Sequence, residues 1–320
     1  MSQNDFVGAG NSAGAKPRYD VAIIGAGFAG LSAALQLARA RRTICVIDGG
    51  EPRNRFATTS HGFLGHDGKT PTEIRTTAID QLCRYDTVVF RTTMVTKAAA
   101  CKVPDAPDRL FDITLADGSL IETHRIILAT GVRDTLPDIP GLNERWGKTV
   151  LHCPYCHGYE VRDTEIGVIA TMPQSSHQAM LLPDWGPTTY FTQSGPTPDQ
   201  DTLMTLRDRG ITIETSPIVE ILGTAPAIEG VKLADGRILP IRALFVGPTV
   251  SMPNPIAEML GCQFETGPQG PFIEVDASKE TNVPGVFAAG DAATAGHNAT
   301  LASAAGVMAG VAVHQSLVFK

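Results

Sequence analysis

The chain has 320 residues, 26 basic and 33 acidic, for a net charge of -7; 43% are hydrophobic and 6% aromatic. That length allows two domains with a core each. The acidic balance, without a run of lysines and arginines, argues against nucleic acid or an anionic membrane surface as partner. Residues 1–18 are small and polar and lack the basic segment, apolar core and cleavage site of a secretory signal. They read as a disordered tail, and a cytoplasmic protein is expected.

Val21-Ala22-Ile23-Ile24-Gly25-Ala26-Gly27-Phe28-Ala29-Gly30 is an apolar strand running into GxGxxG. The first glycine permits a tight turn, the second lets backbone approach a pyrophosphate, and the third lets helix pack on strand. Residues 21–38 carry no charge, yet three glycines and a serine make strand-turn-helix a better reading than a membrane span. Asp48 closes a second apolar run, Thr43 to Ile47, where an acid can accept hydrogen bonds from a ribose hydroxyl. Together these residues predict a dinucleotide site. Gly49 follows, and then Arg53, Asn54 and His61 lie in a loop expected to wrap the cofactor.

Further on, Ile126-Ile127-Leu128-Ala129-Thr130-Gly131 is another apolar strand closing on a small turn. Cys153-Pro154-Tyr155-Cys156-His157 has the spacing of a redox-active pair beside a histidine. A helix start there favours the thiolate, and an imidazole titrates near neutrality. The same string is the covalent haem signature, set aside for want of an export signal, and zinc would need a second ligand pair that is absent; no metal is expected. The other four cysteines, Cys45, Cys83, Cys101 and Cys262, read as buried or incidental thiols, with Cys101 in a loop.

A second strand and turn, Ile166 to His177, keeps only Gly167 of the usual glycines. Ala170 adds a methyl where backbone must meet phosphate, and Pro173 removes an amide. The strand and loop from Thr188 to Pro196 contain no arginine or lysine. Val286-Phe287-Ala288-Ala289-Gly290-Asp291 is a last apolar strand, before a small-residue helix from about Ala299 to Val313.

GxGxxG, ATG, CxxC and GD in that order resemble the low-molecular-weight thioredoxin reductases, over about residues 19–316. The resemblance implies an α/β fold of two Rossmann-like, three-layer domains, the second inserted in the first. An FAD domain is expected at 19–145 plus 246–320, and a degenerate NADPH-binding-like domain carrying the CxxC at 146–245. It implies FAD as cofactor, held by Gly25, Gly27, Ala29, Gly30, Asp48, Gly49, Arg53, Asn54, His61, Ala129, Thr130, Gly131, Gly290 and Asp291. Thr300 and Leu301 would present the positive end of the last helix to the flavin. A homodimer is implied as well.

The altered second turn, with CPYCH, resembles a branch of that family: the small-molecule dithiol oxidases of gliotoxin, holomycin and romidepsin types, the romidepsin type most of all. This implies catalysis by Cys153, Cys156 and His157, with a natural-product dithiol closed to a disulfide. Electrons would pass through FAD to O2, giving hydrogen peroxide, with NADP+ left open as acceptor. Two alternatives stand beside it: an NADPH-dependent thioredoxin or disulfide reductase, and a non-catalytic flavin redox sensor.

Overall fold

The computed structural model describes residues 16–101, 109–193 and 198–319. The expected tail up to residue 15, and residues 194–196 of the stretch ending at Pro196, lie outside the described residues. Residues 16–18, read as the end of that tail, are described and engaged. Lys16 Nζ bonds Asp112 at 2.9 Å, and strand β1 begins at Arg18.

β1 (Arg18–Ile24) runs into helix α1 (Phe28–Arg39), followed by β2 (Ile44–Asp48), α2 (Pro71–Leu82), β3 (Val88–Thr92), β4 (Val95–Cys101), β5 (Leu110–Leu115) and β6 (Leu120–Leu128). β1 lies between β2 and β6, parallel to both, with β3 beyond β2. Its continuous apolar run is what a parallel strand covered on both faces requires. Ala22 and Ile24 enter one core with Cys45, Ile47, Phe111 and Ile113. Val21 and Ile23 enter another with Leu37, Ile44 and Val46. β4 and β5 pair antiparallel, and β5 continues antiparallel onto the first half of β6.

After β7 (Arg133–Thr135) come β8 (Val150–Leu151), α3 (Pro154–His157), β9 (Ile166–Ile169), α4 (Ser175–Leu181), β10 (Thr188–Phe191), α5 (Gln200–Asp208) and β11 (Thr212–Glu214). An antiparallel trio follows, β12 (Ile218–Leu222), β13 (Gly230–Leu233) and β14 (Ile238–Leu239), then β15 (Ala243–Val246). The parallel sheet here has the order β11-β10-β9-β15-β8.

After β16 (Thr249–Ser251) the chain completes the first sheet. α6 (Ile256–Leu260), β17 (Phe264–Thr266) and β18 (Pro271–Ile273) precede β19 (Val286–Ala288), which pairs parallel with the second half of β6. α7 (Ala299–Val318) then packs on α1. By length and apolarity alone α7 could cross a membrane; Gly306, Ala309, Gly310 and Val313 are its buried residues. It extends past the expected end at Val313. A Cβ on Gly306 would sit 2.1 Å from the Ala29 carbonyl oxygen, so the two helices meet almost backbone to backbone.

The chain divides into two compact units, residues 1–53, 72–133 and 251–320, and residues 54–71 and 134–250. The second unit's main segment runs from 134 to 250, against the 146–245 expected from the sequence. Ile139 and Leu142 belong to the second unit's core with Ile221 and Val231. Arg145, 3% exposed, bonds the carbonyls of Gly141, Ala227 and Gly223. Residues 54–71 group with the second unit, and with them Asn54 and His61, both expected in the cofactor loop. Of the four bystander cysteines, Cys45 and Cys262 are buried, Cys83 is exposed, and Cys101 ends strand β4 rather than lying in a loop.

Candidate active site

In the first unit, the turn from β1 to α1 is shaped by its glycines. Gly25 has φ +105, and a Cβ there would lie 2.2 Å from the Ala129 carbonyl oxygen; Ala129 in turn donates its N–H to Ile24 at 2.9 Å. Gly27, the N-cap of α1, is the opposite case: a Cβ there would meet nothing within 4 Å. Its backbone therefore faces open space at a helix start, where unpaired amides and the dipole favour an anion. That cradle fits the pyrophosphate of a dinucleotide.

Asp48 closes β2 as expected. Its Oδ1 accepts from the Ala26 amide at 2.9 Å and its Oδ2 from the Gly50 amide at 3.0 Å. Arg75 on α2 bonds Asp48 and also donates from Nε to the Ala26 carbonyl at 3.1 Å. The sequence reading missed Arg75, since nothing local marks a helix residue so far past the fingerprint. Gly49 packs under Met94, where a Cβ would lie 2.1 Å from the sulfur. Thr130 and Gly131, with φ +65 at Gly131, follow β6, and Gly290 follows β19 against Ala29. Asp291 pairs with Arg53 at 2.9 Å.

At the start of α7, Asn298 Oδ1 accepts from the amides of Thr300 and Leu301 at 2.8 and 3.2 Å. These two amides, expected to point their charge at the flavin, are engaged by their own cap. Asn54 and His61 fall in the second unit, Asn54 in a short 3-10 turn spanning Arg53–Phe56.

In the second unit, β8 delivers the chain to Cys153, the N-cap of α3, with Pro154 in the first turn, where its missing N–H costs nothing. Both Cys153 and Cys156 are free thiols and half-buried. The Cys156 thiol donates to the Cys153 sulfur, which pulls Cys153 down to about 7; the amides of Cys156 and Tyr155 add to this against the opposing effect of burial. The same hydrogen bond, then burial and the charge on Cys153, push Cys156 up. Near neutral pH Cys153 is therefore partly thiolate, while Cys156 stays a thiol.

His157 is held below the usual imidazole range by burial, with Glu160 opposing and His61 reinforcing that shift. Its ring meets His61 edge to face, centroids 6.5 Å apart. His61 Nε2 lies 3.0 Å from Thr59 Oγ1 and 3.5 Å from Glu160 Oε1, and its Nδ1 lies 3.5 Å from Asp67 Oδ1. Tyr155 is exposed and stands edge-on to Trp185 at 6.0 Å.

The turn after β9 differs from its counterpart after β1 in each glycine. Counting from the strand ends at Ile24 and Ile169, Ala170, Met172 and Ser175 stand where Gly25, Gly27 and Gly30 do. Gly167 is not a surviving fingerprint glycine. It lies inside β9, where a Cβ would meet Leu244 at 2.6 Å and Phe191 at 2.9 Å, so its role is sheet packing. Ser175, 2% exposed, accepts from the amides of Thr171 at 3.1 Å and Met172 at 3.3 Å. Two amides that could have met a phosphate are closed onto this hydroxyl. Met172 is buried as well.

The Pyridine nucleotide-disulphide oxidoreductase family model matches residues 19–172 and 194–308. The chain is 34% identical to "Thioredoxin reductase tcpT" of Claviceps purpurea over 291 residues, 85% of this chain and 86% of that protein. The crystal structure of an oxidoreductase from Agrobacterium tumefaciens is 47% identical, with TM-score 0.88, over 94% of this chain and 99% of that one. The crystal structure of HlmI is 34% identical, with TM-score 0.87, over 97% and 95%. These relatives accord with the gliotoxin- and holomycin-type branch that the sequence resembles, and none of them points to the romidepsin type in particular. With a dinucleotide cradle in one unit and a poised cysteine pair in the other, the chain belongs to the pyridine nucleotide-disulphide oxidoreductases, as a thioredoxin reductase-like, FAD-dependent enzyme.

Proposed function

We propose that the chain is a dithiol oxidase, closing an intramolecular disulfide in a small-molecule dithiol by exchange with a Cys153–Cys156 disulfide. The observation that carries this reading is the turn after β9, where Ala170, Met172 and Ser175 replace the glycines and the Ser175 hydroxyl takes the Thr171 and Met172 amides. Without free amides and close backbone, that turn offers poor support to the pyrophosphate of NADPH. Electrons then enter through the cysteines.

One substrate thiol loses its proton to His157 and attacks Cys153 Sγ, breaking the enzyme disulfide and freeing Cys156. The second substrate thiol attacks the substrate sulfur of this mixed disulfide. The closed product departs, and Cys153 leaves as a thiolate, which its value of about 7 favours. The substrate is oxidised by two electrons and the cysteine pair reduced by two. Bound FAD would take that electron pair from the cysteines and pass it to O2, which becomes hydrogen peroxide. Residues Gly25, Gly27, Ala29, Gly30, Asp48, Ala129, Gly290 and Asp291 would hold it. O2 as acceptor, and a homodimeric state, rest on the family resemblance.

A second reading, an NADPH-dependent disulfide reductase, is favoured by the name of the Claviceps relative and by the intact parallel sheet of the second unit. An anaerobic flavin spectrum separates the two. Bleaching by dithiothreitol but not by NADPH, then recovery in air with release of peroxide, is the expected result. Rapid bleaching by NADPH replaces the oxidase with the reductase.

A further inference from the structure

We propose that His61 and Glu160, brought from a remote loop and from the turn after α3 to the edge of the His157 ring, form the proton exit of the thiol site. This inference rests on the dithiol oxidase reading and deepens it. Each dithiol closed to a disulfide releases two protons with its two electrons. Reduced Cys156 keeps one proton, whereas Cys153 at about 7 does not hold a second firmly at neutral pH. His157 can store one proton at a time, so it must discharge to solvent before it can serve again as base.

The path out runs from a half-buried ring to exposed carboxylates. His61 stands edge to face with His157, and Thr59 Oγ1 fixes its orientation at 3.0 Å. Glu160 Oε1 lies 3.5 Å from one ring nitrogen and Asp67 Oδ1 3.5 Å from the other, with side chains 37% and 69% exposed. Both distances are those of an ion pair that tightens when the imidazole takes a proton. The charged or titratable groups acting on His157 are Glu160 and His61; those facing His61 are His157, Glu160 and Asp67, and Arg162 is occupied over the Tyr159 ring. The proton moves from the substrate sulfur to His157, then to His61, then to Glu160 or Asp67 and water, with no electron transferred on the way. His61 and Glu160 act through His157 and are positioning residues.

The two neighbours act on His157 with opposite sign. Removing the Glu160 charge lowers the pH at which His157 becomes a base, and removing His61 raises it. The test is anaerobic flavin reduction of the holoenzyme by dithiothreitol from about pH 5.5 to 9, in wild type, Glu160→Gln and His61→Asn. In both variants the plateau rate should fall about ten-fold. The acid limb should move down by about half a pH unit in Glu160→Gln and up in His61→Asn, with added imidazole restoring the His61→Asn plateau. Profiles that superpose on wild type, or a loss of rate with neither a shift nor rescue by imidazole, overturn the relay. A wild-type flavin left oxidised by dithiothreitol overturns the oxidase reading instead. The relay is then judged by proton NMR titration of His157, whose midpoint must move in opposite directions in the two variants; a midpoint unmoved in both refutes it.

Discussion

Arg53 Nη1 meets Asp291 Oδ2 at 2.9 Å, tying the segment after β2 to the turn after β19 across 238 residues of sequence. Each side chain is about one-fifth exposed (19% and 20%), so the pair is screened less than a surface ion pair. Arg53→Met would release the Asp291 carboxylate from its orientation. The expected outcome is FAD binding weakened by about five- to ten-fold, or roughly 1–1.4 kcal/mol, read by titrating apoprotein with FAD and following flavin fluorescence. Unchanged affinity would mean that Asp291 does not depend on Arg53.

Alkylation of reduced enzyme by iodoacetamide should report Cys153 with a midpoint near pH 7, because an acid whose value is lowered becomes the reactive thiolate at lower pH. In Cys156→Ala the largest stabilising hydrogen bond is gone, and the midpoint must rise toward the ordinary thiol value. A midpoint unaffected by that substitution would assign the shift to the helix amides alone.

Two glycine substitutions on either side of α1 separate fold from cofactor. Gly27→Ala places its methyl in open space, so stability should be unchanged while FAD affinity falls by at least ten-fold. Gly306→Ala drives a methyl into the Ala29 carbonyl and should cost about 1–3 kcal/mol of stability. Thermal unfolding of the two apoproteins beside their FAD titrations tests the contrast, which fails if both variants lose stability alike.

Ser175→Ala leaves the amides of Thr171 and Met172 without their acceptor in a buried turn. Urea unfolding should show a loss of about 1–3 kcal/mol. NADPH affinity should not improve, because the Ala170 methyl and the Met172 side chain remain. A variant that gained tight NADPH binding would show that Ser175 alone blocks the site.

The first unit's cofactor turn was legible because its signals are local: an apolar strand, three glycines at fixed spacing, an acid at the end of the next strand. The cysteine pair was legible for the same reason, its spacing and Pro154 already describing a helix start. Arg75 was not, because its bond to Asp48 comes from a helix with no motif of its own. Asn54 and His61 read as cofactor-loop residues because they follow Asp48 in the chain, yet the segment 54–71 that holds them groups with the second unit. That segment's polar, glycine-rich sequence carries no periodicity to place it, and the partners of His61 at Glu160 lie about a hundred residues further on. Gly167 lies within β9, and composition alone cannot distinguish such a strand glycine from one in the turn just after it. Ala170 and Pro173 mark the loss of the second fingerprint in the sequence itself, while the closing hydroxyl of Ser175 emerges only with the backbone in place.

The parallel pairing of β19 with β6, and the packing of α7 on α1, have a consequence for synthesis on the ribosome. β6 and α1 are translated early, yet the strand and helix that cover them follow the entire inserted unit. During that interval the nascent first unit exposes a sheet edge and the bare alanine and glycine face of α1, surfaces that invite association with other chains. The inserted unit, by contrast, has all of its sequence at hand by Val250. It is therefore placed to fold first, while the cofactor cradle waits for the last strand and helix of its own sheet.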